Sequence, residues 1–224
     1  MAAQPKVSIV IPTIEEESIF RMVRDVRKLL GNGTEIIVVD KSSDAYFNRL
    51  KKAGVIALRQ SDRGVENAIM MGLRHAKGSL LASIDADGTH ELHGIKKGME
   101  LLGRKKGIDM VLGNRLAGLS EGSMNAYLRT GNMILTALFD MVYGSDVHDV
   151  LTGLFVMRKG AFEKIKRVKP YRAGIAFFAI ELAKRGYKIG EVDIKYYPRR
   201  EGASKLAKSK FAYGVGVASH ILSK

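Results

Sequence analysis

Apolar and polar positions along the chain follow two alternating periods. VSIVIP (7–12) is an unbroken, largely β-branched run ended by proline, which predicts a buried strand. Residues 15–30 then place Ile19, Met22, Val23, Val26, Leu29 and Leu30 on one helical face, and Gly31-Asn32-Gly33 stops the helix. EIIVVD (35–40) predicts a second strand, 44–53 a short helix and VIALR (55–59) a third strand. A helix over 64–76, a strand over 80–84, a helix over 92–104 and a strand over 109–112 follow. The second half is less regular. It predicts a helix over 127–143, a strand over 154–158, a helix over 173–185 and a strand over 188–196. A loop over 199–205 and a last helix over about 206–222 complete the chain.

Strands that are apolar throughout, separated by helices, predict a mostly parallel Rossmann-like sheet covered by helices on both faces. With 224 residues and no repeat or linker, the expected architecture is a single α/β domain. In such sheets ligands bind beyond the carboxyl ends of the strands. Here those ends are polar: Thr13-Ile14-Glu15-Glu16, Asp40-Lys41-Ser42-Ser43-Asp44 and Asp85-Ala86-Asp87. The three clusters are expected to meet in one crevice.

Composition narrows the partners. There is no Cys, so any metal takes oxygen or imidazole ligands. The net charge is +14, and residues 158–224 hold 17 basic against 5 acidic side chains, a net of +12. An anionic partner is implied: nucleotide phosphate, lipid phosphate or nucleic acid. No signal peptide or membrane-spanning run is read, which leads to the expectation of a cytoplasmic protein, with a peripheral membrane position open. In the tail, Lys205, Lys208 and Lys210 stand beside the apolar FAYGVGVASHIL. That segment either lies on an anionic membrane surface or packs on the domain.

Asp85 and Asp87 are the sharpest candidates for chemistry. Two carboxylates one residue apart, just after a buried strand, can turn toward one point and hold Mg²⁺ or Mn²⁺. Asp40, at the end of the second strand, is placed to accept from a ribose or a base. No G-x-G-x-x-G follows the first strand and no G-x-x-x-x-G-K-[ST] occurs, which removes the main support for dehydrogenase and P-loop readings.

Taken in order, these motifs resemble the family-2 glycosyltransferases of the GT-A fold, and among them the catalytic domain of dolichol-phosphate mannose synthases. VSIVIPT-x-x-E (7–16), with Pro12, Thr13 and Glu16, is similar to the nucleotide-binding opening strand, and IIVVD-x-S-S-D (36–44) to the second nucleotide loop. Arg63-Gly64 with Ala68 and Gly72 resembles the nucleotide-side helix start, and DADGTHE (85–91) the metal loop that also meets the nucleotide. Gly113-Asn114-Arg115 and Arg129 resemble the arginines that grip an acceptor phosphate. Asp149 with Thr152-Gly153 resembles the motif before the sixth strand, while GEVDI (190–194) and R-x-x-G-x-S-K (199–205) resemble the closing strand and loop. Thr89 stands where those synthases usually carry a metal-binding Gln, and Lys41 where a second Asp is common.

The resemblance implies a transferase domain over 1–206, followed by a basic and apolar tail over 207–224. It implies inversion at the anomeric carbon, a nucleotide-sugar donor (GDP-mannose favoured) and a polyprenyl phosphate acceptor such as dolichyl phosphate. A phosphate monoester is already anionic near neutral pH, so it needs positioning by Arg115 and Arg129 rather than a strong base. Arg199 and Lys205 would close over the leaving diphosphate. Two other readings stand beside this one. The first is a UDP-sugar enzyme acting on a saccharide hydroxyl. The second is a basic nucleotide- or RNA-binding protein without transfer activity; no nucleic-acid motif supports it, and no nucleic-acid partner is expected.

Overall fold

A computed structural model describes residues 5–165, 173–199 and 210–223. Seven strands form one sheet in the order β3-β2-β1-β4-β6-β5-β7. They are β1 (Val7–Thr13), β2 (Glu35–Asp40), β3 (Ile56–Arg59), β4 (Leu80–Ser83), β5 (Met110–Leu119), β6 (Phe155–Arg158) and β7 (Ile189–Tyr196). β1 pairs in parallel with β2 and β4, β2 with β3, and β5 with β7; β6 alone runs antiparallel, between β4 and β5. The expected mostly parallel sheet is therefore present.

The helices are α1 (Ser18–Leu30), α2 (Asp44–Lys52), α3 (Val65–His75), α4 (His93–Arg104), α5 (Ala126–Tyr143), the short α6 (Lys159–Phe162), α7 (Phe177–Ala183) and α8 (Lys210–Leu222). Alternate strand residues feed two cores, as the two-residue side-chain period requires. Ile9, Ile11, Ile36, Val38 and Ala82 face α1 and α4, whereas Val10, Ile37, Val39 and Leu81 face α3 and the layer built from α7 and α8. Gly72 of α3 lies so close to Val10 that any β-carbon there would overlap its side chain, which brings α3 tight against β1.

Three differences from the sequence reading have local causes. α1 begins at Ser18 rather than at residue 15. Glu15 adopts φ +45° and its N–H donates to the Ser42 hydroxyl at 2.6 Å, so the preceding turn belongs to the crevice rather than the helix. β5 runs to Leu119 instead of ending at 112. Its polar half, Gly113-Asn114-Arg115, continues along β7 through an irregularity between Asn114 and Gly118, where the Gly118 backbone meets the Ile194 carbonyl with no room for a β-carbon. The predicted 173–185 helix is split into a 3₁₀ turn, Gly174–Ala176, followed by α7. The expected 199–205 loop and the start of the last helix lie outside the described residues beyond Arg199.

Candidate active site

The carboxyl ends of β1, β2 and β4 share one edge of the sheet, and their loops are tied together. Lys41 N–H donates to the Thr13 carbonyl at 3.2 Å, and the Tyr46 hydroxyl donates to the Glu16 carbonyl at 2.6 Å. The Ser18 hydroxyl, at the start of α1, donates to the Ala86 carbonyl at 2.6 Å. The expected convergence of three polar clusters is thus observed.

Asp85 and Asp87 follow β4 directly. Thr89 donates to Asp87 Oδ1 from its N–H at 3.1 Å and from its hydroxyl at 2.7 Å. Thr89 therefore orients the Asp87 carboxylate. The Thr89 hydroxyl is also 3.1 Å from His90 Nδ1, and that nitrogen lies 3.8 Å from Asp85 Oδ2. Burial, and then the nearby Arg115, hold the His90 pKa well below its ordinary value, so the ring is neutral. Burial and the neighbouring Asp87 push the Asp85 carboxyl up to about 7, against the pull of Arg115 and Arg199. Two neighbouring carboxylates, where burial and mutual repulsion outweigh the nearby arginines, fit a divalent cation. Among the described residues no cluster of three or more acidic or histidine side chains forms a metal cage. A two-carboxylate site suits Mg²⁺ or Mn²⁺, whose remaining positions are taken by substrate phosphate and water.

Room for Asp85 comes from Gly153. A β-carbon at 153 would lie 2.8 Å from Asp85 Oδ1 and closer still to Oδ2. Gly153→Ala is accordingly expected to push the carboxylate aside. Isothermal titration with Mn²⁺ should show at least a tenfold weaker affinity than the parent, with a thermal midpoint within a few degrees. An unchanged affinity would remove Asp85 from the metal site.

The metal loop is stitched to the end of β7. Glu91 N–H donates to the Lys195 carbonyl at 3.0 Å, and Tyr197 N–H to the Thr89 carbonyl at 2.8 Å. This pairing carries Arg199 into the crevice, where its Nη2 lies 2.5 Å from Glu16 Oε2 and 3.8 Å from Asp87 Oδ2. Arg199, Glu16 and Asp87 are thus brought together, although 183 residues separate the first two. Lys205 lies outside the described residues.

Arg115 reaches the crevice from β5 but is already engaged. Its Nε and Nη2 donate to the two oxygens of Asp149 at 2.6 and 2.8 Å, and its backbone N–H donates to Oδ2 at 3.1 Å. The guanidinium lies 5.3 Å from the centre of the Tyr196 ring, whose other neighbour is His90. Arg115 is buried and Asp149 fully so, and Asp149 overrides the cost of burial to raise the Arg115 pKa. Arg129, in the first turn of α5, is exposed, and no side-chain contact among the described residues joins it to Arg115.

Asp40 is fully buried, and its carboxylate is occupied by the Ser42 N–H, the Ser42 hydroxyl and Arg59 Nη1. It shapes the second loop, and Arg59 covers it on the outer side with 35% of its side chain exposed. Gly64 starts α3 with φ +99°, and its carbonyl accepts from Gln60 Nε2 at 2.8 Å. Arg63 is exposed, Pro12 partly buried and Thr13 buried. Sequence reading missed the Asp149–Arg115 pair and the Arg59 cover. Neither has a local signal, because the partners are 34 and 19 residues apart.

Comparison with known proteins places the chain in a family and agrees with its fold. The family model described as Glycosyl transferase family 2 matches residues 8–166. Glycosyltransferase AglJ of Haloferax volcanii is 29% identical over 91% of this chain and 67% of its own. A dolichyl-phosphate hexose transferase of the same organism is 27% identical over 93% of this chain and 88% of its own. Dolichol-phosphate mannosyltransferase of Pyrococcus furiosus is 28% identical over 93% of this chain and 61% of its own. Among solved structures, glucosyl-3-phosphoglycerate synthase from Mycobacterium tuberculosis, in complex with Mn²⁺, UDP and phosphoglyceric acid, superposes with a TM-score of 0.72 at 20% identity. That match covers 99% of this chain and 78% of the other. The mannosyltransferase PcManGT from Pyrobaculum calidifontis, with GDP-Man and Mn²⁺, gives 0.62 at 14% identity over 90% and 59%.

Proposed function

Because this chain belongs to glycosyl transferase family 2 and has the GT-A fold, we propose that it moves a hexose, with mannose from GDP-mannose favoured, onto a polyprenyl phosphate in a metal-dependent, inverting reaction. The observation that carries this reading is the Asp85–Asp87 pair at the end of β4, with Arg199 held 3.8 Å from Asp87. Asp85 and Asp87 would hold Mg²⁺ or Mn²⁺, which when bound supplies a Lewis acid for the leaving diphosphate. Glu16 and Asp87 hold the Arg199 guanidinium beside the same point, where it offsets the charge that develops on the leaving group. Pro12, Thr13 and the Asp40 loop form the nucleotide side, and Arg63-Gly64 closes that side at the start of α3.

The relatives' names favour a lipid phosphate acceptor, and the basic charge of this chain agrees with them. An acceptor of this kind brings its own negative charge to the crevice, so no side chain has to remove a proton from it. Arg115 supplies a fixed positive charge there, and exposed Arg129 is the next arginine in sequence. Mannose and guanine are favoured by the printed names of the Pyrococcus relative and the Pyrobaculum structure. The UDP in the mycobacterial structure keeps a UDP-sugar donor as the second reading.

Purified protein incubated with Mn²⁺ and a short polyprenyl phosphate is expected to transfer sugar from GDP-mannose, and chelation should stop it. Turnover with UDP-glucose alone would overturn the GDP-mannose reading and keep the metal site. Transfer to a neutral saccharide, with none to the lipid phosphate, would overturn the acceptor.

A further inference from the structure

We propose that the solvent faces of α5 and α8 form a surface that lies on an anionic lipid bilayer. α5 is apolar around most of its circumference, with Arg129 and Asp140 its only charged residues, yet it buries only Thr136 and Phe139 fully. A surface helix ordinarily turns polar residues to water. This one exposes Tyr127 by 65%, Ile134 by 63% and Met141 by 82%, positions seven residues apart on one stripe. α8 repeats the pattern with Phe211, Val215 and Leu222, exposed by 73, 54 and 61%.

The two helices are neighbours. The Tyr143 hydroxyl donates to the Ile221 carbonyl at 2.6 Å, and a β-carbon at Gly214 would lie 3.9 Å from Leu135. Paired in that register, they run side by side in the same direction. Their inner sides, Phe139 on α5 and Val217 and Ile221 on α8, are in the core, so the apolar stripes share the outer side. Eleven large apolar side chains are exposed among the described residues, and eight of them lie on these two helices. Such concentration marks an interaction surface rather than scattered exposure.

Charge selects the occupant. A chain of net +14 repels a second copy of itself and is drawn to an anionic surface. Arg129 and Lys210, both exposed, stand at the leading ends of the two helices, where they would meet lipid headgroups while the stripes enter the acyl boundary. The described helices cannot do more than lie there, since none is long and apolar enough to cross a membrane.

The test is co-sedimentation of the full chain with phosphatidylcholine vesicles, with and without phosphatidylglycerol. Neither vesicle contains polyprenyl phosphate, so the result is independent of the proposed acceptor. The native protein should bind the anionic vesicles, more weakly at high salt. The triple variant Ile134→Ser, Met141→Ser, Phe211→Ser should bind about tenfold or more weakly, and the corresponding triple leucine variant should bind like the parent. Circular dichroism and metal titration, which report fold and crevice, should be unchanged in both. The single variant Ile134→Ser provides the same comparison if the triple serine variant unfolds. Absence of binding to either vesicle, or serine variants that bind as well as the parent, would overturn the proposal. A lipid-free dimer dissolved by the triple serine variant would assign the surface to a second copy instead.

Discussion

Replacing Asp87 with alanine is expected to lower metal-dependent sugar transfer by about 10²–10³-fold while the domain stays folded. Asp87 accepts two hydrogen bonds from Thr89 and faces Arg199, so its loss removes a candidate metal ligand and the partner of a cation at once. The structural cost is small. The two hydrogen bonds from Thr89 contribute about 0.5–1.5 kcal/mol each at this partly buried position, and removing Asp87 relieves the repulsion that helps push Asp85 up to about 7. Thermal unfolding with and without Mn²⁺ separates the two effects. A cation that binds only the folded parent raises its midpoint, and the variant should lose that rise while keeping a similar metal-free midpoint. Asp87→Asn retains the Thr89 contacts and should still lose the Mn²⁺-dependent rise. Full Mn²⁺-dependent turnover by the alanine variant would end the metal assignment.

The parts of this molecule that were legible from sequence are those set by short-range pattern. β1, β2 and β4 are continuous apolar runs with polar residues at their carboxyl ends, and the crevice follows from strand direction alone. The placement of Asp85, Asp87 and Glu16 around one crevice was legible for that reason. Contacts that depend on distant partners were not legible. Asp40 looks like a free acceptor at a strand end, but Arg59 and Ser42 already donate to its two oxygens. Arg115 looks like a free phosphate ligand, but Asp149 holds it in a bidentate pair. The polar residues of β5 hide its second half, because they face a crevice instead of a core and break the apolar run that marks a buried strand. α5 shows the converse. Its apolar content predicts a helix and says nothing about which side stays uncovered, which depends on where α8 packs.

The largest stability effect is expected from Asp149→Ala. Asp149 has no exposed surface and accepts from both Nε and Nη2 of Arg115. Its removal leaves a guanidinium charged, buried and unpaired beneath Tyr196, which costs about 3–5 kcal/mol. In a domain of this size each kcal/mol moves the thermal midpoint by about 2–4 °C, so a fall of about 6–20 °C is expected in a calorimetric scan. The double variant Arg115→Met, Asp149→Leu removes both charges and fills their space, and should recover most of that loss, because a buried ion pair contributes little beyond an apolar pair of the same shape. A midpoint that stays low in the double variant would mean that the pair stabilises by more than mutual neutralisation. The same double variant decides what Arg115 does in the reaction. With stability restored, a KM for the lipid phosphate raised well above that of the parent, beside an unchanged KM for the donor, identifies the guanidinium as the acceptor's counter-charge. Unchanged constants for both substrates would make the pair a positioning device for β5 and Tyr196, and would leave Arg129 as the arginine facing the acceptor.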